Sequence, residues 1–132
     1  MTKTALFPDG STKQAEALKV SPGILSHDHV FLTGVTGSGP DGAMPRDPET
    51  QFRQAFHKIG AVLHEAGLTH RDIVEMTSYH LDIATHFDLF SSIRKEFVVA
   101  PYPAWTAVEV SGLRRAGALV EIRVVAACCN TP

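Results

Sequence analysis

The stretch PYPAWTAVEVSGLRRAGALVEIRVVAA, residues 101–127, decides the fold of this chain. Its two ends, residues 104–110 and 118–127, are rich in valine and other apolar residues. The segment between them, residues 111–117, carries two glycines and two arginines. Apolar, β-branched runs on either side of such a segment are typical of two strands joined by a loop. The sequence therefore predicts a strand, a loop and a strand in this region.

Glu121 is the unusual residue of the second run. Leucine, valine or isoleucine occupies positions 119, 120, 122, 124 and 125 around it, a pattern typical of a strand that is buried on both faces. An ionised carboxylate in such a place costs several kcal/mol unless it is paired or hydrogen-bonded. Glu121 therefore has either a structural partner, such as Arg123 or backbone amides at a subunit seam, or a chemical role.

The composition limits the classes of protein to which the chain can belong. Of its 132 residues, 44% are hydrophobic and 20% charged, so we interpret residues 1–132 as one globular domain. The formal net charge of −2 gives no general attraction to nucleic acid, and no such partner is expected. No apolar run approaches the ~20 residues of a membrane helix, and the first residues lack the apolar core of a secretion signal.

The cysteines indicate the compartment. The chain has two, Cys128 and Cys129, which are adjacent and have no counterpart elsewhere in the sequence. Adjacent cysteines rarely form a disulfide with each other, because the bond prefers Cα atoms ~5.5 Å apart. A reduced, cytoplasmic location is the simplest interpretation.

The first half of the chain predicts strands. We expect one near residues 4–7, and a hairpin made of residues 20–25 and 30–35 around a turn at 26–29. The glycine-rich segment TGSGPDGAMPR, residues 36–46, lacks the spacing of a phosphate-binding loop. We interpret it as a surface loop.

The middle of the chain predicts two helices with a strand between them. Asp47 is suited to cap the first helix, Pro48 suits its first position, and Gly67 suits its end. Apolar residues recur between them at helical spacing. A strand follows over residues 72–81, and then a second helix over residues 84–97.

This order of elements predicts an α+β fold, with a single mixed β-sheet and two helices packed on one face. The other face of the sheet has no helix to cover it and, if it is apolar, must meet another subunit. A large exposed apolar face is rare on a monomer. We therefore expect that face to meet another copy of the chain.

Short motifs spread over residues 20–127 follow an order and spacing that resemble a known family. They are Ser21-Pro22-Gly23, Phe31-Leu32-Thr33-Gly34, Gln51, Ala66-Gly67-Leu68, Asp72-Ile73-Val74, Tyr79, Asp82, Pro103-Ala104, Val108-Glu109-Val110, Gly112-Leu113 and Leu119-Val120-Glu121-Ile122. Each is weak alone, but the ordered set is specific. The chain resembles the RidA family, also called YjgF or reactive intermediate deaminase.

The resemblance implies a fold, an assembly and an activity. The fold is chorismate-mutase-like, and the assembly is a homotrimer with a small-molecule cleft between adjacent subunits. The activity is the hydrolysis of reactive imines and enamines, with release of ammonia and with no metal or organic cofactor.

The resemblance also assigns residues to the site. The catalytic acid of the family, which is thought to position or activate water, corresponds to Glu121, and such a role suits a carboxylate that exchanges protons. Gly34 matches a glycine whose backbone approaches the ligand. Thr33 stands where the family usually has a serine. The resemblance therefore predicts that Gly34 and Thr33 both bind substrate.

Three further substrate-binding positions differ from the archetype of the family. Trp105 replaces the arginine that grips the substrate carboxylate, Ala107 replaces a cysteine, and Phe90 replaces an asparagine. An indole offers one N–H donor and no charge, so it cannot reproduce a bidentate arginine. These residues predict an apolar, aromatic pocket suited to a larger or uncharged ligand.

Alternatives stay open at several positions. Phe90 and Trp105 are also typical of core or interface packing, where large aromatic side chains dominate. Arg114 and Arg115 either supply a displaced cation or form a solvated pair, since loop arginines are usually exposed.

The histidines do not predict a metal site. His27 and His29 form an H-x-H pair, but no third ligand follows at a recognisable spacing, and a metal site needs three or four. By strand alternation, His80 shares a face with Val74, Met76 and Ser78. It is interpreted as a core or cleft-edge residue, with a proton shuttle as the alternative.

Two functions follow. The first is a metal-free hydrolytic deaminase that acts on a reactive imine or enamine metabolite at an intersubunit cleft, where Glu121 directs water. The second, suggested by the missing arginine, is a non-catalytic small-molecule-binding module with a regulatory role on the same trimer. RNA cleavage is not favoured, because the net charge is negative and no basic patch is present.

Overall fold

A computed structural model describes residues 3–128 and places them in one mixed sheet with helices. The six strands of this part of the chain are β1 (Thr4–Leu6), β2 (Gly23–Ser26), β3 (His29–Leu32), β4 (Ile73–His80), β5 (Ala104–Glu109) and β6 (Val120–Ala127). The α-helices are α1 (Thr12–Leu18), α2 (Pro48–His64) and α3 (Ile83–Lys95), and a 3-10 helix spans His70–Asp72. The predicted α+β class with a single mixed sheet is confirmed.

The strand order is β1-β2-β3-β6-β4-β5. Only the pair β4 and β5 is parallel, and the other neighbours are antiparallel. The hairpin predicted around residues 26–29 is present as β2 and β3. The strand that carries Glu121, β6, lies between β3 and β4, whereas β5 forms an edge of the sheet. These positions decide which side chains can meet at the site.

The helix α2 forms where its end signals predict. The side chain of Asp47 accepts a hydrogen bond from the backbone N–H of Thr50 over 2.9 Å, and Pro48 takes the first helical position. Beyond the helix, Gly67 has a φ of +74°, a conformation that a residue with a Cβ adopts only with strain. The sequence alone therefore places both ends of this helix.

The core lies between one face of the sheet and the helices α2 and α3. Phe52, Phe56 and Phe90 are fully buried, and the rings of Phe52 and Phe90 meet edge to face with centroids 5.3 Å apart. Strand β6 contributes every second residue to this core, including Val120 and Ile122. Its alternate residues, Glu121 among them, face the other side, as the two-residue period of a strand requires.

A third helix, α1, was not expected. Its sequence TKQAEAL has one buried residue, Ala15, so it shows no apolar stripe from which a helix can be predicted. The helix ends at Leu18, and its C-cap residue, Lys19, takes a left-handed conformation with a φ of +58°.

The glycine-rich segment 36–46 is only partly a surface loop. Thr36 and Ser38 are buried, and Gly37 lies so close to the backbone of Gln51 that a Cβ atom at position 37 would overlap it. The interpretation of the whole segment as a surface loop is therefore wrong at its first residues. They pack under α2 because a glycine there allows close backbone approach.

Gln51 ties this segment to the sheet. Its Nε2 donates to the carbonyls of Pro45 and Gly117 over 2.7 and 2.9 Å, and its Oε1 accepts from the backbone N–H of Leu119 over 2.9 Å. The side chain is buried. The Gln51 side-chain amide thus links the segment that precedes α2 to the residues that precede β6.

Candidate functional site

Glu121 projects from the face of the sheet that the helices α2 and α3 do not cover. Within the sheet it is paired with Tyr79 of β4, and it is half-buried. No ion pair joins it to Arg123, which is exposed two residues further along the same face. The prediction that β6 is buried on both faces is therefore wrong within a single chain. The carboxylate faces space that this chain leaves open.

Gly34 lies directly against the Glu121 side chain. A Cβ atom at position 34 would come within 2.5 Å of Oε2 and within 3.0 Å of Cδ of Glu121. The loop after β3 can approach the carboxylate this closely because position 34 carries no side chain. The predicted catalytic acid and one predicted substrate-binding residue are thus adjacent.

A small cavity opens beside Gly34. It has a volume of about 160 Å³ and is lined by α1 and the loop after β3, with Leu18, Val20, Thr33 and Gly34 among its walls. The hydroxyl of Thr33 donates to the carbonyl of Ser21 over 2.7 Å, which holds the loop in place. Glu121, Gly34, Thr33 and this cavity make up what we call the first half-site.

A wider groove of about 660 Å³ continues from the cavity along α2. Its wall includes Lys58, whose ammonium group donates to the carbonyl of Thr36 and the hydroxyl of Ser38 over 2.9 and 2.8 Å. Burial lowers the pKa of Lys58 from its usual value, and the nearby Arg115 lowers it further. The groove and the cavity share Ser11, Gln14, Pro22 and Val35 in their walls.

Trp105 and Ala107 lie on the opposite face of the sheet. Their strand partners, Met76 and Ser78, are buried beneath the helices. The indole N–H of Trp105 donates to the hydroxyl of Ser78 over 2.9 Å, and the indole stacks on Phe87 with centroids 5.6 Å apart. Both are half-buried on the edge strand β5. We call this region the second half-site.

Phe90 lies in the core behind Trp105. It is fully buried, with its ring 5.3 Å from that of Phe52 and 6.1 Å from that of Trp105. A ring with no exposed surface cannot touch a ligand at this chain's surface, so the assignment of Phe90 to substrate binding is not supported. Its stripe position on α3 is explained by packing.

His80 is a core residue and not a cleft-edge residue. It is fully buried, with Nε2 2.8 Å from the hydroxyl of Ser78 and a buried Nδ1 that has no partner. The same Ser78 hydroxyl accepts the indole N–H of Trp105 over 2.9 Å. Burial, assisted by His86, lowers the pKa of His80, so the ring is neutral.

Val74 does not share the buried face of Met76, Ser78 and His80, so the prediction that it does is wrong. Val74 is 43% exposed, whereas Met76, Ser78 and His80 are buried. The pairing of β4 with β6 shifts register between Ile73 and Glu75. Such a bulge inserts a residue and moves the side chains before it to the other face.

The cation next to Trp105 is one that the sequence interpretation overlooked. The guanidinium carbon of Arg94 lies 3.9 Å from the centroid of the Trp105 ring. Phe87, Phe90 and Arg94 recur at helical spacing on α3, and this signal was available in the sequence. Of the two arginines considered instead, Arg114 is exposed and Arg115 donates to the carbonyl of Gly42.

Among the described residues, no group of three or more His, Cys, Asp and Glu side chains is arranged to hold a metal ion. His29 is paired with Asp28 through a contact of 2.8 Å between Nδ1 and Oδ1. Cys129, the second cysteine of the adjacent pair, lies outside the described residues. None of the helices in residues 3–128 is long and apolar enough to cross a membrane.

The predicted site residues thus fall into two groups that one chain cannot bring together. Glu121 and Gly34 are on the open face, and Trp105 and Ala107 are on the face covered by helices. A sheet separates them. A cleft that contains both groups therefore requires two copies of the chain, one for each half-site.

Comparisons with known proteins show which family and fold the chain is similar to. The profile of a family described as Endoribonuclease L-PSP matches residues 12–128. The RutC family protein YjgH of Escherichia coli strain K12 is 39% identical over 125 residues, which cover 94% of each chain. A solved structure of a protein named YJGH superposes with a TM-score of 0.88 and 36% identity over 99% of this chain and all of that one.

A relative with a named activity is more distant. It is the 2-iminobutanoate/2-iminopropanoate deaminase of Bos taurus, 27% identical over 108 residues, which cover 80% of this chain and 77% of that one.

Proposed function

This chain belongs to the Endoribonuclease L-PSP family, which is the RidA/YjgF family that its motifs resemble, and on that premise we propose that it hydrolyses a reactive imine or enamine. The contact between Glu121 and Gly34 is the observation that supports this proposal best. It places a carboxylate that forms no ion pair with any residue of the described range 3–128 beside a backbone segment and a cavity. Such a carboxylate is free to exchange protons with a bound water molecule.

The chemistry that we propose uses a water molecule and Glu121. The water oxygen bonds to the imine carbon, and the π pair of the C=N bond moves to nitrogen. The proton that leaves the water passes through the Glu121 carboxylate to that nitrogen. In the second step the hydroxyl proton of the carbinolamine follows the same route, the C–N bond breaks, and ammonia leaves a carbonyl product. An enamine enters this sequence after protonation at carbon.

We further propose that the active assembly is a homotrimer, with each cleft formed from the first half-site of one subunit and the second half-site of the next. The separation of Glu121 and Trp105 by the sheet supports this arrangement. So does the exposed apolar surface of the open face, where Phe31 is 40% exposed and Val108 is 37% exposed. Cyclic contacts of this kind repeat one heterologous interface around a closed ring.

The Bos taurus relative acts, by its name, on 2-imino acids, which supports the C=N bond as the target. The side chain at position 105 argues for a different substrate in this chain. An indole in place of a guanidinium presents an apolar surface to the cleft. We propose a substrate with an apolar or aromatic group that packs against Trp105 and Phe87.

The test is ammonia release from imines generated in the assay by an amine or amino-acid oxidase. Glu121→Gln keeps the shape of the side chain and removes its base, so we expect turnover to fall about a hundredfold or more. Glu75→Gln is the matched control, because Glu75 is an exposed carboxylate on the same open face of the neighbouring strand. Unchanged turnover in Glu121→Gln, with the assembly intact by light scattering, would end the proposal.

A second function, a non-catalytic small-molecule-binding module, is favoured by one observation. Trp105, on the edge strand, lacks the charge that grips a substrate carboxylate in the archetype. The same panel of imines separates the two functions. A binding module takes up carbonyl compounds or imines without releasing ammonia faster than buffer does, and Glu121→Gln then changes nothing but affinity.

A further inference from the structure

Lys58 differs from the other lysines of the chain in its surroundings. Its side chain is half-buried in the wall of the groove along α2. By contrast, the remaining lysines, Lys3, Lys13, Lys19 and Lys95, are exposed. A lysine ordinarily keeps its ammonium group in water, because removing the charge from water is costly. The partial burial of Lys58 therefore requires a reason in the groups around it.

Two uncharged oxygens hold the Lys58 nitrogen. It donates to the carbonyl of Thr36 over 2.9 Å and to the hydroxyl of Ser38 over 2.8 Å. None of the ion pairs between residues 3–128 includes Lys58, although an acid, Asp9, belongs to the same groove wall. A buried ammonium is normally paired with a carboxylate, because its charge is otherwise uncompensated.

The contacts of Lys58 suit a neutral amine. An ammonium group has three N–H donors, whereas a neutral amine has two N–H donors and a lone pair. The oxygens of Thr36 and Ser38 satisfy both donors of the neutral form, and the lone pair remains for another atom. Burial lowers the pKa of Lys58, and the like charge of Arg115 lowers it further. Lys58 therefore gives up its proton more readily than a solvated lysine does.

The groove gives a ligand room beside this amine. Its volume of about 660 Å³ falls within the ~300–1,000 Å³ of typical small-molecule sites. Much of its wall is apolar, formed by Pro8, Pro22, Val35, Pro40, Ala61 and Val62. A molecule with an apolar body and one electrophilic carbon matches this combination of a nucleophilic nitrogen and apolar side chains.

We propose that the groove binds an aldehyde with an apolar body and that Lys58 forms a Schiff base with it. A lysine amine becomes nucleophilic when it is desolvated or lies near another cation, and Lys58 meets both conditions. The inference does not rest on the proposed hydrolysis, because it concerns a different residue and a different reaction.

The reaction needs no oxidant or reductant. The lone pair of the Lys58 nitrogen bonds to the carbonyl carbon, and the π pair of the C=O bond moves to oxygen. A proton passes from the nitrogen to that oxygen and gives a carbinolamine. The carbinolamine hydroxyl takes up a proton and leaves as water, the nitrogen lone pair forms the C=N bond, and the last N–H proton is released.

The test uses benzaldehyde as the probe and sodium cyanoborohydride to reduce the Schiff base to a stable benzylamine at pH 7.5. Peptide mass spectrometry then measures the modified fraction of each lysine in the same sample. Each unit by which a pKa is lowered raises the fraction of free amine about tenfold. We therefore expect Lys58 to react about tenfold faster than the exposed Lys95. We also expect the Lys58 rate to saturate as the benzaldehyde concentration rises.

Two variants separate the amine from the groove. Lys58→Arg keeps a cation and its hydrogen-bond donors but has no nucleophilic amine, so the fast modification should disappear while that of Lys95 continues. Ala61→Phe changes an exposed position of the groove wall three residues further along α2. It should slow the reaction of Lys58 with benzaldehyde severalfold and leave the reaction with formaldehyde, which is much smaller, close to that of the wild type.

Two results would overturn the inference. One is modification of Lys58 no faster than that of Lys95. The other is a Lys58 rate that rises in proportion to the benzaldehyde concentration and is the same in Ala61→Phe, since that shows a reactive amine without a binding site. No imine is added in this assay. A failure to release ammonia from imines therefore refutes the hydrolase and leaves the Lys58 site standing, and a failure of the Lys58 test leaves the hydrolase standing.

Discussion

Glu121 and Trp105 project from opposite faces of the same sheet. Glu121 pairs with Tyr79 of β4, whereas Trp105 pairs with Met76 of that strand, three residues earlier. Three residues is an odd number, and successive side chains of a strand alternate between faces. No rotation of either side chain brings the two together within one chain. This separation yields the first prediction.

Two variants that are each defective in one half-site should restore activity when they assemble together. We expect Glu121→Gln and Trp105→Leu each to lose most of the ammonia-releasing activity. In a trimer that contains both variants, about a third of the clefts, one in each ring, combine two intact halves. Co-expression of the two variants under separate tags, followed by tandem purification and assay, measures this recovery.

The control pairs Glu121→Gln with Gly34→Ala. Both changes affect the first half-site, so no mixed cleft is intact in that region. Recovery in this pair as well, or none in the first pair, would contradict the division of the site between subunits.

Gly34→Ala should reduce activity and leave the fold in place. The added methyl group would lie within 2.5 Å of the Glu121 carboxylate oxygen, so the flexible end of the glutamate must move away. A displacement of about 1 Å at a catalytic group is enough to lower the rate by about a hundredfold. Steady-state ammonia release and a thermal melt of the same sample check the two parts of the prediction. Gly112→Ala, where the methyl group meets nothing within 4 Å, should match the wild type in both.

Gln51→Leu should destabilise the protein strongly. It leaves the carbonyls of Pro45 and Gly117 and the N–H of Leu119 without their partner, and each buried group left unpaired costs about 1–3 kcal/mol. Allowing for relaxation and for water entering the gap, we expect the free energy of unfolding to fall by about 2–4 kcal/mol, measured by urea denaturation.

Gln54→Leu is the matched comparison on the same helix. The Oε1 atom of Gln54 is buried and has no hydrogen-bond partner among residues 3–128, so we expect its removal to change the free energy of unfolding by less than about 1 kcal/mol. A loss of stability in Gln54→Leu equal to that in Gln51→Leu would show that the hydrogen bonds of Gln51 are not the cause.

His80 should make stability depend on pH. Burial lowers the pKa of the folded state below its usual value, and the unfolded chain titrates near ~6.5. Below that pH the unfolded chain binds the proton more readily than the folded one. The contribution is therefore complete above pH ~6.5 and is lost as the pH falls toward the folded pKa, by up to ~1.4 kcal/mol per pH unit.

Urea denaturation at pH 7.5 and pH 5.5 tests this dependence. His80→Gln should lower stability at both values and should show a smaller loss between them than the wild type. His64→Gln, at an exposed position of α2, should keep most of the wild-type difference. An undiminished difference in His80→Gln would assign the pH dependence to other groups.

Short-range sequence signals predicted the two ends of α2. The cap at Asp47, the proline after it and the glycine at position 67 each act within a few residues, and α2 begins and ends where they indicate. Helix α1 was missed because seven residues with a single buried alanine carry no periodic signal.

The site residues were named by resemblance, but their arrangement could not be read from the sequence. The faces of Glu121 and Trp105 depend on how β4 pairs with two strands that are far apart in the chain, and the bulge after Ile73 depends on the same pairing. Arg94 was overlooked because an arginine at helical spacing from Phe87 and Phe90 is equally compatible with a position at the solvent-exposed edge of the helix. Only the packing of α3 against β5 shows that its donors are buried.

The place of β6 in the sheet has a consequence for how a newly synthesised chain folds. It is the last of the described strands to leave the ribosome, yet it joins the β1-β2-β3 group to the β4-β5 pair. Until then these two groups have unpaired inner edges that can bind other nascent chains. The middle of the sheet therefore closes only once β6 has been synthesised.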